Sequence, residues 1–294
     1  MDEYTSIVVR GGLSFGEAPR WHEGRLWYSD FYRHGIFSMA PDGSDERIEH
    51  EVLKQPSGLG WLPDGDLLCV SMLDHLILRF RGDDVSTFAD ISDYCGFWAN
   101  EMIVSASGFS YVGNFGFDLD QFLAEHGVEG LLASPPPPTN VVVLSPDGDV
   151  VQVVADLAFP NGTVITPDGA TLIIGETLGS QLTAFDVAAD GTLGNRRVWA
   201  PLEYVASDGM CLDAEGQVWL ANAVSKTCLR VREGGEITAT VTTTQTAYAC
   251  MLGGEDRTTL FVMTAPTSDR FKAADVTRGR VETAVVAVGG AGTP

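Results

Sequence analysis

Four residues with oxygen-bearing side chains, Ser57, Asn100, Asn161 and Asp208, each stand eight positions before a turn glycine, and Glu17 stands seven before another. In a last, weaker copy of the pattern Ala249 takes that place, eight before Arg257. Carboxylates and carboxamides with no cysteine or histidine among them are hard donors, suited to Ca²⁺ or Mg²⁺ before a softer ion. Two carboxylates cancel a divalent charge, and two asparagines add neutral carbonyl oxygens. Left without a cation in a narrow space, Glu17 and Asp208 would repel, and one would tend to hold its proton. FPNGT (159–163) and ASDGM (206–210) place the donor just before glycine, which is expected to let the backbone turn it inward. Either is a common turn sequence alone; sharing one repeat phase gives them their meaning.

The elements that bring such distant residues together repeat along the chain. RWHEGRLWYSD, WLPDGDLLCVS, VSASGFSYVGN, ITPDGATLIIGET and LDAEGQVWLAN each place a glycine turn between alternating apolar residues, and GGEDRTTLFVMTA is a weaker sixth copy. Each reads as a β-hairpin. The turn positions 24, 65, 108, 169, 216 and 257 lie 41, 43, 61, 47 and 41 residues apart. A period in the forties predicts an all-β, six-bladed β-propeller with four-stranded antiparallel blades around a central channel, one domain over residues 1–294. Equivalent points of the blades then converge on the axis. The long interval holds an insertion, 115–140, with a short helical stretch and four consecutive prolines, a candidate lid over the channel mouth. SIVVR (6–10) and VETAVVAVGG (281–290) are strand-like and are expected to meet and close the ring.

Composition narrows the partners. A 45% hydrophobic content supports a large core, and a net charge of −22 argues against nucleic acid and anionic membrane surfaces. The start MDEYTSIVVR lacks the features of a secretory leader, and no apolar run approaches a membrane span. Five scattered cysteines without a CxxC pair fit reduced thiols. A cytoplasmic protein, monomeric or weakly homo-oligomeric, is expected.

At GEAPRW, ANEMIVSASGFSYVGNFG, FPNGTVITPDGATLIIGET, SDGMCLDAEGQVWLAN and CMLGGEDRTTLFV the sequence resembles the gluconolactonase, senescence-marker (regucalcin) and luciferin-regenerating-enzyme family of six-bladed propellers, over nearly its whole length. The resemblance implies one divalent cation, Ca²⁺ first and Zn²⁺, Mn²⁺ or Mg²⁺ as alternatives, held by Glu17, Asn161 and Asp208. Asn100 would lie beside it as ligand or substrate contact. The implied chemistry is hydrolysis of a lactone or related ester, in which the metal polarises the carbonyl and Asp208 takes the proton of an activated water. No separate serine nucleophile is required for this chemistry. A phosphotriesterase-like activity or a non-catalytic calcium- or ligand-binding propeller would use the same donors.

Two positions depart from the family pattern. Sugar-lactone hydrolases of the family carry arginine two residues before the asparagine of the third blade; here it is Trp98. The acidic residue after that asparagine is Glu101, one methylene longer than the common aspartate. An indole presents an apolar face and one N–H, which suits alkyl or aromatic substrates better than polyols. Tyr94, Phe97, Phe115 and Phe117 add to an expected apolar wall. The substrate-binding set is therefore Trp98, Glu101, Ser57 and Phe115, and the small-molecule substrate is expected to be less polar than a sugar lactone.

Overall fold

Alternating strands joined by tight turns pair into six antiparallel sheets, each built from consecutive strands except where the ring closes. The structure, a computed structural model, describes residues 1–134 and 136–292. The innermost strands of blades one to six are Gly16–His22, Pro56–Trp61, Ala99–Val104, Pro160–Ile165, Ser207–Leu212 and Thr246–Gly253. Each packs against the inner strands of both neighbours, so the six form a closed ring around the axis. The apolar core fills the spaces between blades, as where Trp21 of blade one stacks on Phe261 of blade six at 5.7 Å.

The offset of Glu17 by one residue has a local cause. In blade one His22 pairs with Arg25 across Glu23 and Gly24, both left-handed (φ 47° and 77°), a two-residue type I′ turn. In blade two Pro63, Asp64 and Gly65 separate Leu62 from Asp66, whose backbone groups bond at 2.9 Å. The first hairpin is therefore one residue shorter in its turn, with inner arms of equal length.

Residues 6–10 and the 281–290 segment do meet. Ile7–Leu13 pairs antiparallel with Gly279–Val285, with Ile7 opposite Thr283, and so supplies a strand of blade six. Glu282, fully buried at this junction, accepts hydrogen bonds from the Ser6 hydroxyl (2.5 Å), the Thr264 hydroxyl (2.8 Å) and the Thr244 amide (2.9 Å). The chain start goes further than expected: Asp2–Thr5 runs parallel to Ile237–Thr242 as a fifth strand of blade five.

The insertion lies between Ser110–Asn114 and Thr139–Leu144 of blade three and carries a helix, Leu119–Ala133, capped at its start by Asp118, whose carboxylate accepts from the Gln121 amide. Pro135, the first of the four prolines, lies outside the described residues. Among the described residues no helix is long and apolar enough to cross a membrane.

Register shifts interrupt the inner strands of blades two to five at one place, between Pro56 and Leu59, Ala99 and Met102, Pro160 and Thr163, and Ser207 and Met210, and blade one shifts between Glu17 and Arg20. A bulge re-aims the side chains it contains. The glycine after the donor serves a different purpose from the one expected. Gly162 and Gly209 are not left-handed; instead, a Cβ on Gly162 would collide with the Asp208 carbonyl oxygen and Met210, and one on Gly209 with Ala249. Space between neighbouring blades, not backbone freedom, requires glycine there.

Gly162→Ala should therefore destabilise the fold by about 1–3 kcal/mol. Urea unfolding checks it, with Gly169→Ala, at an open left-handed turn, as the comparison that loses about 1 kcal/mol through strain alone.

Candidate functional site

Each donor strand is fixed where it enters the ring. The Asp30 carboxylate accepts from the Ser14 and Phe15 amides at 3.0 and 3.1 Å, just ahead of Glu17. Glu176 accepts from the Ala158 amide at 2.7 Å ahead of Asn161, and Asn222 from the Ala206 amide at 3.2 Å ahead of Asp208. Phe159 is held left-handed (φ 62°) in front of Pro160 while its carbonyl accepts from the Thr177 amide at 3.0 Å. A bulky residue in that region stores backbone strain, which gathers at functional sites.

The structure brings Glu17, Asn100, Asn161 and Asp208 together, all buried, in one cavity of about 110 Å³ at one end of the channel. Along its floor the Ser57 hydroxyl donates to Asn100 Oδ1 at 3.0 Å, and Asn100 Nδ2 donates to Asn161 Oδ1 at 3.3 Å. Ser57 thus orients Asn100 without lining the cavity. Glu101 does not line it either. Its carboxylate is turned to the Arg20 guanidinium, both side chains being buried, and it accepts from the Met102 amide at 3.1 Å. Arg20 spends its other N–H groups on the carbonyls of Leu59 (3.1 Å), Pro19 (2.9 Å) and Met102 (2.8 Å). Asn100 and Glu101 share the bulge between Ala99 and Met102, and the Arg20 guanidinium and the Met102 amide hold Glu101 away from the cavity.

Charge at the floor is unbalanced. Burial, then the Asp208 and Glu101 carboxylates, hold the Glu17 carboxyl well above the usual range. Burial, then Glu101, push Asp208 up to about 8, against the Gly209 amide and Asn161, which pull it down. Arg20 is the last and smallest influence on Glu17, because its charge is shared with Glu101. Two buried carboxylates without a cation of their own, beside two carboxamides, fit a divalent ion, which restores neutrality and accepts hard oxygen donors. Glu17, Asn161 and Asp208 would hold it, with Asn100 alongside. Among the described residues no three His, Cys, Asp or Glu side chains cluster as a metal site, so only two of these donors carry charge.

The walls are aromatic. Trp98 stacks with Phe97 at 4.8 Å, Phe115 with Phe159 at 4.8 Å, and Phe15 approaches Tyr248 at 4.8 Å. Phe117 packs edge-on against Phe159 from behind, and Tyr94, 37% exposed, faces away from the cavity. None of the five histidines lines it.

Among the lining residues that the repeat did not point to are Tyr248, Asp120 and Arg270. Blade six shifts register between Ala247 and Ala249, so Tyr248 reaches the cavity while Ala249, fully buried, belongs to the core. A bulge one residue early leaves no mark in a count from the turn. Asp120 arrives on the insertion helix, and Arg270 on the connection between Thr259–Ala265 and Gly279–Val285. The Arg270 guanidinium lies 5.1 Å from the Trp98 ring and bonds Asp118 at 2.5 and 2.7 Å. The signal available was position: both connections join second and third strands, and so emerge at the donor end of the ring.

Comparison with known proteins follows the same lines. A family model described as "SMP-30/Gluconolactonase/LRE-like region" matches residues 15–266. Regucalcin of Xenopus laevis is 24% identical over 267 residues, covering 88% of this chain and 85% of that protein. Regucalcin of Gallus gallus is 30% identical over 131 residues, a stretch spanning 43% of this chain and 44% of its own length. Among solved structures, a calcium-binding protein, regucalcin, from Agrobacterium tumefaciens superposes with a TM-score of 0.79 at 19% identity, covering 100% of this chain and 98% of that one. A gluconolactonase from Xanthomonas campestris gives 0.74 at 21% identity, covering 96% and 89%. At such identities the solved structures speak for the fold.

Asp208→Asn should stabilise the chelated protein by at least about 1 kcal/mol, since it removes a buried carboxylate that Glu17 and Glu101 oppose. A carboxyl whose folded pKa lies above its unfolded one costs stability only where it ionises. The advantage of the variant should therefore be full above pH 8 and vanish towards about pH 4. Thermal melts of both proteins across pH check this, and added Ca²⁺ should raise the melting temperature of the wild type alone.

Proposed function

The chain belongs to the SMP-30/gluconolactonase/LRE-like family, and on that premise we propose that it is a metal-dependent hydrolase of lactones or related cyclic esters less polar than sugar lactones. The observation that carries this reading is the pair of uncompensated buried carboxylates, Glu17 and Asp208, on the floor of an aromatic-walled cavity. A bound divalent cation would supply Lewis-acid polarisation of the ester carbonyl and a lowered pKa for the attacking water. Glu17, Asn161 and Asp208 would hold it.

Asp208 then acts as general base. It accepts a proton from water as the new C–O bond forms, and returns it to the ring oxygen as the C–O bond of the lactone breaks, giving a hydroxy acid. Asn100, oriented by Ser57, positions the ester beside the cation. Trp98 and Phe115 hold the apolar part of the substrate and keep bulk water from the floor, which strengthens every charge interaction there. Glu101 acts at one remove, by engaging Arg20 and leaving Glu17 and Asp208 free.

A second reading, a calcium-binding propeller without turnover, draws support from the calcium-binding regucalcin that shares the fold. Hydrolysis of phosphotriesters would use the same floor. A panel of aliphatic, aromatic and sugar lactones plus one phosphotriester, assayed with chelator and with Ca²⁺, Mn²⁺, Zn²⁺ or Mg²⁺, separates the three. Lactone turnover abolished by chelation is expected, and Asp208→Asn should lower kcat/KM by about 10²–10⁴. Calcium binding with no turnover of any ester would leave the binding role. Trp98→Arg should shift preference towards polyhydroxylated lactones, read as the ratio of kcat/KM values; an unchanged ratio would place the indole outside the substrate's reach.

A further inference from the structure

We propose that Arg270 is a specificity-determining residue whose guanidinium serves as a flat, charge-compensated plate, selecting neutral lactones with a planar apolar group and rejecting lactones that carry a carboxylate. This rests on the lactonase reading of the floor. Of the residues lining the cavity, Glu17, Asp120 and Asp208 are acidic and Arg270 is the one lysine or arginine. A lone guanidinium in such a place would ordinarily mark an anion receptor.

The geometry points elsewhere. Asp118 takes Arg270 in a two-pronged pair at 2.5 and 2.7 Å, Asp120 lies 3.7 Å from Nη1, and the Asp120 carboxylate also accepts from the Arg270 amide at 3.3 Å. Two carboxylates thus share one cation, and an incoming anion would meet a net negative charge. The guanidinium carbon also lies 5.1 Å from the centroid of the Trp98 ring and 4.6 Å from that of Phe271. A guanidinium set beside aromatic rings extends an aromatic surface. With the indole it forms one wall, facing a substrate's flat apolar portion.

Releasing the guanidinium should convert the wall into a receptor. Asp118→Asn suits this because asparagine caps a helix start as well as aspartate does. In the metal-loaded variant, kcat/KM for a carboxylate-bearing aryl lactone should rise about tenfold or more, chiefly through KM, while the uncharged parent lactone shows no such gain. Asp118→Asn/Arg270→Met should lose the gain. A gain absent from the first variant, or surviving in the second, overturns the proposal. Arg270→Lys keeps the charge and loses the plane; it should raise KM for the uncharged aryl lactone with kcat unchanged, and an unaltered KM overturns the proposal independently of the aspartate variant.

Calorimetric binding of the matching aryl lactams, neutral and carboxylate-bearing, separates the two layers. If no lactone is turned over yet Asp118→Asn switches lactam preference, the hydrolase reading fails and the role of Arg270 stands. If lactones are turned over and the preference does not switch, the role of Arg270 fails alone.

Discussion

The inner strands of neighbouring blades approach so closely that the residue after Asn161 and after Asp208 has no room for a methyl group. That proximity is what makes a site possible. Residues as far apart in sequence as Glu17 and Asp208 meet because a ring of six strands leaves a passage only a few side chains wide. The bulges convert proximity into direction by rotating each donor out of the ladder. Acceptors on the second strands, Asp30, Glu176 and Asn222, then hold the backbone ahead of three of them. Packing, register and capping interactions thus serve one arrangement of oxygens.

Charge within that passage is distributed in two layers. Arg20 and Glu101 neutralise each other, and Arg20 satisfies three backbone carbonyls besides. A buried ion pair with its remaining groups bonded is stable in place. It leaves Glu17 and Asp208 opposed and uncompensated. Had Arg20 reached Glu17 instead, one of the two floor charges would be cancelled and the pull on a divalent cation would be weaker.

Much of this was legible in the sequence, for reasons tied to particular residues. Turn glycines such as Gly65 and Gly216 are left-handed (φ 92° and 74°), a conformation that Arg257 (φ 60°) also takes in the weaker sixth copy, so five of the six turns carry the residue that adopts it without strain. The closure by residues 6–10 was readable from alternation alone. Glu101 was read towards the substrate because its partner Arg20 lies in another blade, and no spacing along the chain records that pair. Tyr248 was hidden because register within a sheet depends on where the bulge falls, which no spacing records. Arg270 was hidden because connections carry no period: its place follows from the Asp118 pair and the Trp98 ring, both of them distant along the chain.

The first thirteen residues serve two sheets at once. Asp2–Thr5 completes the edge of blade five and Ile7–Leu13 fills blade six, with Ser6 bonded to Glu282 between them. On the ribosome these residues emerge long before their partners, Ile237–Thr242 and Gly279–Val285. At about 5–20 residues per second, the leading strands spend tens of seconds as unpaired edges before any partner exists. Blades one to four can pair their strands as they appear, but the ring closes only once Gly279–Val285 has been made. A nascent chain of this architecture is therefore an open arc with two sticky ends, and its most exposed moment comes before its final strand is translated.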